Sequence, residues 1–188
     1  MKTFVINLPD RKDRMQRFNA NNPYLEYELF KAVEGYKVGY EKLLSQGFDT
    51  DHNWIDPILK TPLTKGEVGC FLSHWHLWNK CIEKNEPIIV LEDDAILTDK
   101  FNVEEISKLK YDFVYLGWKE MDKSKEINDD LVIPVYPYWT LAYMIRPDAA
   151  RVLVNSVIKR NIIPVDEYLP LKMPQIKVAG YKENVVEP

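Results

Sequence analysis

Pro87-Ile88-Ile89-Val90-Leu91-Glu92-Asp93-Asp94 (PIIVLEDD) is the stretch that decides the fold. Pro87 to Leu91 is an unbroken apolar run of strand length, the pattern of a central strand covered on both faces; a half-wet strand would alternate. Three carboxylates follow at once, at the carboxyl end of that strand, where open α/β sheets hold their ligands. Side chains alternate along a strand, so Glu92 and Asp94 are expected on one side and Asp93 on the other. That makes a carboxylate-x-carboxylate pair whose hard oxygens suit Mn²⁺ or Mg²⁺, and such a metal holds a diphosphate. The competing reading is a solvated acidic turn that merely ends the strand. Adjacent carboxylates repel one another and favour a cation, which argues for the metal.

Upstream of this strand lies the best-marked helix. Thr64 and Glu67 stand in capping-box spacing after Pro62, and Val68, Phe71, Leu72, Trp75, Trp78, Cys81 and Ile82 recur at three and four as far as Asn85. Further back, Thr3 to Leu8 reads as a strand ended by Pro9, and Asp10 as the cap of a helix beginning RKDRMQRF. Tyr27 to Val33 reads as a second strand, closed by Glu34 and Gly35. The polar stretch to about Asp56 reads as an excursion with one short helix. Downstream, Asp112 to Leu116, Leu131 to Tyr136 and Thr140 to Ile145 read as strands. Pro147 to Lys159 reads as a helix burying Ala149, Ala150, Val152, Leu153 and Val157. Ile162 to Met173 holds a further helix start, and Gln175 to Ala179 is a last short strand. Strands alternating with helices predict an α/β domain with a largely parallel sheet.

With 188 residues, 46% of them hydrophobic, the chain can bury one sizeable core and is short for two domains, so one domain over residues 1–188 is expected. The 25 basic and 29 acidic residues give a net charge of −4 and alternate in sign. No basic run exists to neutralise successive phosphates, which excludes nucleic acid as a partner. No apolar stretch approaches the roughly 20 residues of a transmembrane segment. The N-terminal MKTFVINLPDRKDR breaks its apolar run at Asn7 and Pro9 and shows no cleavage site, so a cytoplasmic location is expected. Cys70 and Cys81 sit about 16 Å apart along one helix, too far to bridge, and read as buried apolar residues of a reduced protein.

Other candidates each have a plain alternative. Glu67, Cys70, His74 and Cys81 share a helix stripe, but no second pair with zinc-finger spacing accompanies Cys70 and His74, which argues against structural zinc. Glu67 is explained as a capping residue. Ser73 and His74 read equally well as donor contacts in a crevice or as satisfied interior residues. Arg11 and Arg14, one turn apart, can reach a phosphate or lie on a solvated face. Asp166 and Glu167 follow Pro164 at a helix start, where capping needs only one of them. Tyr136, Tyr138, Trp139 and Tyr143 are core packing or a sugar-stacking wall.

Taken together, VINL at Val5 to Leu8 with Arg11 and Arg14, KAVEG ending at Gly35, LTKGEVGCFLSHWHLW from Leu63, VLEDDA from Val90, FVYLG from Phe113, YWTLAY from Tyr138 and PVDEYLP from Pro164 resemble glycosyltransferase family 25. That family holds bacterial lipooligosaccharide galactosyltransferases and animal collagen galactosyltransferases, and the last two motifs are similar to the collagen branch. The resemblance implies a single Rossmann-like nucleotide-binding domain of the GT-A type with a mostly parallel mixed sheet. It implies that Asp94, with Glu92 or Asp93, binds Mn²⁺ and the diphosphate of a UDP-sugar. Asn7, Leu8, Arg11, Arg14, Ser73, His74, Glu92 and Asp93 are then the donor-binding residues, and Asp166 and Glu167 the catalytic carboxylates. The sequence lacks the further domains and endoplasmic-reticulum signals of the animal enzymes, and it stops at Pro188 where relatives continue. A minimal enzyme and one missing part of its acceptor site are both compatible with that.

The activity so implied is transfer of a hexose, galactose first, from the nucleotide-sugar to a hydroxyl of a glycan or protein, with inversion and with Asp166 as base. Two other classes compete. A metal-dependent phosphohydrolase also wants clustered carboxylates, and a non-catalytic nucleotide-sugar or carbohydrate-binding relative would keep the same residues.

Overall fold

A computed structural model describes residues 1–50, 53–58, 60–156 and 161–188. The first half of the chain runs β1 (Lys2–Asn7), α1 (Lys12–Asn21), β2 (Glu28–Lys31), α2 (Tyr40–Ser45), β3 (Asp49–Thr50), α3 (Lys65–Lys84), β4 (Ile88–Glu92) and β5 (Ile96–Leu97). The second runs α4 (Val103–Lys108), β6 (Phe113–Asp122), β7 (Lys125–Glu126), β8 (Leu131–Ile133), β9 (Tyr136–Ile145), α5 (Pro147–Ser156), β10 (Asn161–Ile162), α6 (Val165–Lys172), β11 (Val178–Tyr181) and β12 (Val186–Glu187). The end of the helix predicted over 147–159, with its Val157, lies outside the described residues.

Eight strands form one sheet in the order β2-β1-β4-β9-β6-β11-β8-β7. β1 pairs in parallel with β2 on one side and β4 on the other, and β6 pairs in parallel with β11. β9 enters antiparallel between β4 and β6, and β11, β8 and β7 pair antiparallel in turn. The sheet is therefore mixed. It is parallel where helices separate consecutive strands; β6 to β9 follow one another through short links, which cannot make the crossover a parallel pair needs.

β4 is buried on both faces, as its apolar run requires. Ile88 and Val90 pack with Phe71 and Trp78 of α3, Leu153 of α5 and Tyr168 of α6, whereas Ile89 and Leu91 pack with Phe18 of α1 and Ile106 of α4. Each such side chain, fully buried, stabilises the fold by about 1.5–3 kcal/mol. The capping box of α3 forms as predicted: Thr64 Oγ1 accepts from Glu67 N, and the Glu67 carboxylate accepts from Thr64 N. Asn85 ends the helix in the left-handed region at φ 52°. The cap expected at Asp10 does not form; Arg11 occupies the N-cap position of α1 without a side-chain cap, because Arg11 N closes a turn onto Leu8 O at 2.9 Å.

Two glycines seat the segment after β2 directly on α3. A Cβ at Gly35 would stand 1.7 Å from Lys65 O, and one at Gly69 2.4 Å from Val33 O, so no larger residue fits either place. Among the described residues, no helix is long and apolar enough to cross a membrane.

Candidate active site

From β1 the chain passes through α1 to β2 on one side, then returns through α3 to β4 on the other. β1 is thus a switch point, where the segments leaving neighbouring strands part and open a crevice. A cleft of about 350 Å³ lies there, lined by Asn7 at the end of β1 and Leu8 after it, Ala32 and Val33 beyond β2, and Glu92 and Asp93 at the end of β4. Arg11 and Arg14 flank it, and Cys70, Ser73 and His74 of α3 also line it. A larger hollow, about 850 Å³, lies beside Met1 to Thr3 at the amino end of β1, the end where such sheets do not place their ligands.

The acidic triplet divides differently from the strand alternation expected of it. Ala95 N bonds Glu92 O at 3.1 Å, so a turn begins at Glu92 and alternation stops there. Asp93 and Asp94 come together on Arg14, whose Nη2 stands 2.8 Å from Asp93 Oδ1 and 2.6 Å from Asp94 Oδ2. Asn7, buried at the end of β1, donates its amide to Asp93 Oδ2 at 2.5 Å. Glu92 instead accepts from Thr140 Oγ1 of β9 at 3.0 Å and faces His74 Nε2 at 3.6 Å. Burial alone would raise the Glu92 pKa, but His74 and Thr140 together hold it below the usual range. Asp93 and Asp94 are raised, first by burial, despite the opposing guanidinium of Arg14. More negative charge gathers here than one arginine settles.

At α6, Pro164 is the N-cap and no side chain caps the helix, so neither Asp166 nor Glu167 does what the plain reading required. Glu167 accepts the Tyr136 hydroxyl at 2.6 Å, which fixes it in place. Asp166 Oδ1 is sealed from solvent and has no hydrogen-bond partner. Burial, then the charge of Glu92, pushes its carboxyl up to about 7, against the pull of Thr140. A carboxylate half-protonated near neutral pH is suited to general acid–base work.

The remaining candidates separate. Ser73 lines the cleft, yet its hydroxyl accepts from Val33 N at 2.8 Å and donates to Gly69 O at 2.7 Å, so it anchors the segment after β2 to α3. Arg11 forms a two-pronged pair with Asp13. Leu8 is an exposed part of the rim. Glu67 is occupied by its cap. Both cysteines are free; Cys81 is buried, whereas Cys70 is only half-buried, and burial pushes the Cys70 thiol well up. Of the aromatic cluster, Tyr143 is core, while Trp139 is 37% exposed at φ 70°, a conformation costing a bulky residue about 1–3 kcal/mol. Tyr136, singled out with the aromatic cluster, serves instead as the hydrogen-bond donor to Glu167, and sequence reasoning missed Thr140 and Asn22. Asn22 bonds Ala95 O and Leu97 N, both at 2.9 Å, and so ties the segment after the triplet to the end of α1; its place at a helix C-cap was the available signal.

Residues 1–169 match the model of a family described as glycosyltransferase family 25 (LPS biosynthesis protein). Procollagen galactosyltransferase 2 of Mus musculus is 34% identical over 196 residues, which cover 96% of this chain and 31% of that protein. Inactive glycosyltransferase 25 family member 3 of Homo sapiens is 35% identical over 198 residues, covering 97% of this chain and 33% of that protein. The crystal structure of A197 from STIV superposes with a TM-score of 0.48 at 14% identity, over 99% of this chain and 83% of that one. The chain spans about one third of the length of the curated relatives it matches. The motifs that surround the switch-point cleft lie inside the matched region, and the chain belongs to glycosyltransferase family 25.

Proposed function

We propose that this chain transfers a hexosyl group from a nucleotide-sugar, UDP-galactose by likeness to the procollagen galactosyltransferases, to an acceptor hydroxyl with inversion, on a fold of the GT-A type. The observation that carries this reading is the cleft at the carboxyl ends of β1, β2 and β4, with arginines and carboxylates converging on it. A nucleotide lies across such a crevice with its diphosphate toward the basic flank, here Arg11 and Arg14.

The carboxylates fit a hard divalent cation. Asp93 and Asp94 offer only oxygen ligands, already share one cationic group, and remain raised in pKa beside it. Asp94, with Glu92 or Asp93 supplying a second oxygen, would hold Mn²⁺ or Mg²⁺, which when bound neutralises charge gathering on the departing diphosphate. Asp166 takes the acceptor proton as that oxygen bonds to the anomeric carbon and the bond to the diphosphate breaks. Glu167, clamped by Tyr136, shapes the wall beside it.

A second reading rests on one observation: one of the similar relatives is named inactive. On that reading the chain binds a nucleotide-sugar and transfers nothing. A panel of nucleotide-sugars with Mn²⁺, followed by release of the nucleoside diphosphate, separates the two. UDP released faster from UDP-galactose than from other donors, and lost on chelation, supports the transferase. Binding without release supports the second reading, and phosphate release from a plain phosphoester without a sugar acceptor points to a hydrolase.

A further inference from the structure

Three buried side chains in series leave one hydrogen-bond donor without a partner. Trp78 Nε1 lies 3.0 Å from the Tyr143 hydroxyl, and that hydroxyl lies 2.8 Å from His74 Nδ1. All three residues are at most 0% exposed. An indole N–H can only donate, so the Tyr143 oxygen accepts from Trp78; that oxygen could accept from His74 as well, but only donation to His74 Nδ1 gives the buried Tyr143 proton an acceptor among the described hydrogen bonds. The bond at one ring nitrogen sets the state of the other, and the imidazole proton is therefore on Nε2. That Nε2 is sealed and makes no hydrogen bond. Its facing acceptor, Glu92 Oε1, stands at 3.6 Å, too far for a normal bond. Buried polar groups left unpaired in a native fold call for an explanation, and this one lines the cleft beside Glu92.

A metal is the first alternative, because one ligand atom each of Cys70, His74 and Glu92 lie within 4.8 Å of one another. Metal binding needs a lone pair on His74 Nε2, and the series from Trp78 places a proton there. A phosphate is the second alternative. It accepts from an N–H but has no proton for the Glu92 carboxylate and is repelled by it. A hydroxyl satisfies both groups through one oxygen, accepting from His74 and donating to Glu92.

We propose that His74 Nε2–H and the Glu92 carboxylate together read one hydroxyl of the transferred sugar, with Tyr143 and Trp78 as positioning residues that lock the imidazole tautomer. The proposal rests on the transferase reading above. A pocket built to bond a hydroxyl rejects the analogue lacking it far more strongly than a pocket that merely encloses it, because both groups are then left unpaired.

Two measurements test it. In the donor-free protein, ¹⁵N NMR of the histidine side chains should show His74 protonated at Nε2 with Nδ1 as acceptor, and Tyr143→Phe should shift the Nδ1 resonance. Protonation at Nδ1 in the wild-type chain overturns the proposal. UDP-galactose and its 2-, 3-, 4- and 6-deoxy analogues should then show one position whose loss lowers kcat/KM by about 100-fold or more in the wild-type chain. His74→Leu should abolish most of that discrimination, and His74→Gln, which keeps a donor at a similar reach, should restore part of it. Equal penalties for every analogue in wild type and variants overturn the proposal while leaving the transferase intact. If UDP-galactose and every other nucleotide-sugar remain uncleaved while the tautomer is as expected, the transferase reading fails and the sugar assignment fails with it.

Discussion

Replacing Asp166 with Asn should make the protein more stable and less active at once. The carboxyl holds its proton to about pH 7 in the folded chain, against a usual 3.8. Between those values the unfolded chain is ionised and the folded one is not, so the unfolded state binds fewer protons and stability falls as pH rises. The loss is complete above about pH 7. A gap of that size corresponds to about 4 kcal/mol, which solvent around the half-buried side chain reduces to about 2 kcal/mol. Asn is neutral in both states and escapes the loss. In metal-free buffer the two proteins should melt alike near pH 4, and Asp166→Asn should melt about 4–8 °C higher near pH 8. Comparing the difference between the two pH values removes any constant offset from swapping oxygen for an amide. Transfer, with UDP release read alongside, should fall by about 10²- to 10⁴-fold because an amide takes up no proton. A stability gap that stays constant from pH 4 to pH 8 refutes the buried, proton-holding carboxyl. Transfer at the wild-type rate refutes the base.

Two further substitutions probe the groups around it. Glu67→Gln should melt like the wild type and keep its activity, because an amide oxygen still accepts from Thr64 N, whereas Glu67→Ala should cost about 1 kcal/mol by thermal denaturation. Loss of transfer in Glu67→Gln at unchanged melting temperature would show a role beyond the cap. Asp94→Asn should abolish metal-dependent UDP binding by titration calorimetry without unfolding the domain, and wild-type affinity for UDP and Mn²⁺ in that variant removes Asp94 from the metal site.

Elements set by their own residues were legible in the sequence. The apolar run before Glu92 has one stable place, the covered middle of a sheet, and β4 lies there between β1 and β9. The Thr64–Glu67 box and the three-and-four spacing behind it define α3 without help from any neighbour. The antiparallel half was misjudged for the opposite reason. β9 begins at Tyr136, ahead of the expected Thr140, and pairs with β6 through register shifts after Tyr115, Gly117 and Glu120. Neither the early start nor the shifts have a local signature, because partner strands rather than propensity decide them. The minor pairs β3–β10 and β5–β12 are two residues per strand and depend wholly on what the rest of the fold brings together.

The site follows the same division. Sequence order put three carboxylates at the end of β4, and their chemistry is intrinsic to them. Which of them shares a partner depends on a turn at Glu92 and on residues 48 to 80 or more positions away: Thr140 for Glu92, Arg14 for Asp94 and Asn7 for Asp93. The consequence is a separation of labour that spacing alone would have reversed. Asp93 and Asp94 turn toward the arginine flank, where a cation and a diphosphate belong, and Glu92 is drawn into the buried polar group formed with His74, Thr140 and Asp166. Glu92 is held ionised there while Asp166 is driven toward its protonated form, and two carboxyls pushed apart in this way can divide the work of fixed anion and proton carrier. Three adjacent acids in the sequence thus serve two different groups of partners, because the strand that aligns them ends at the first.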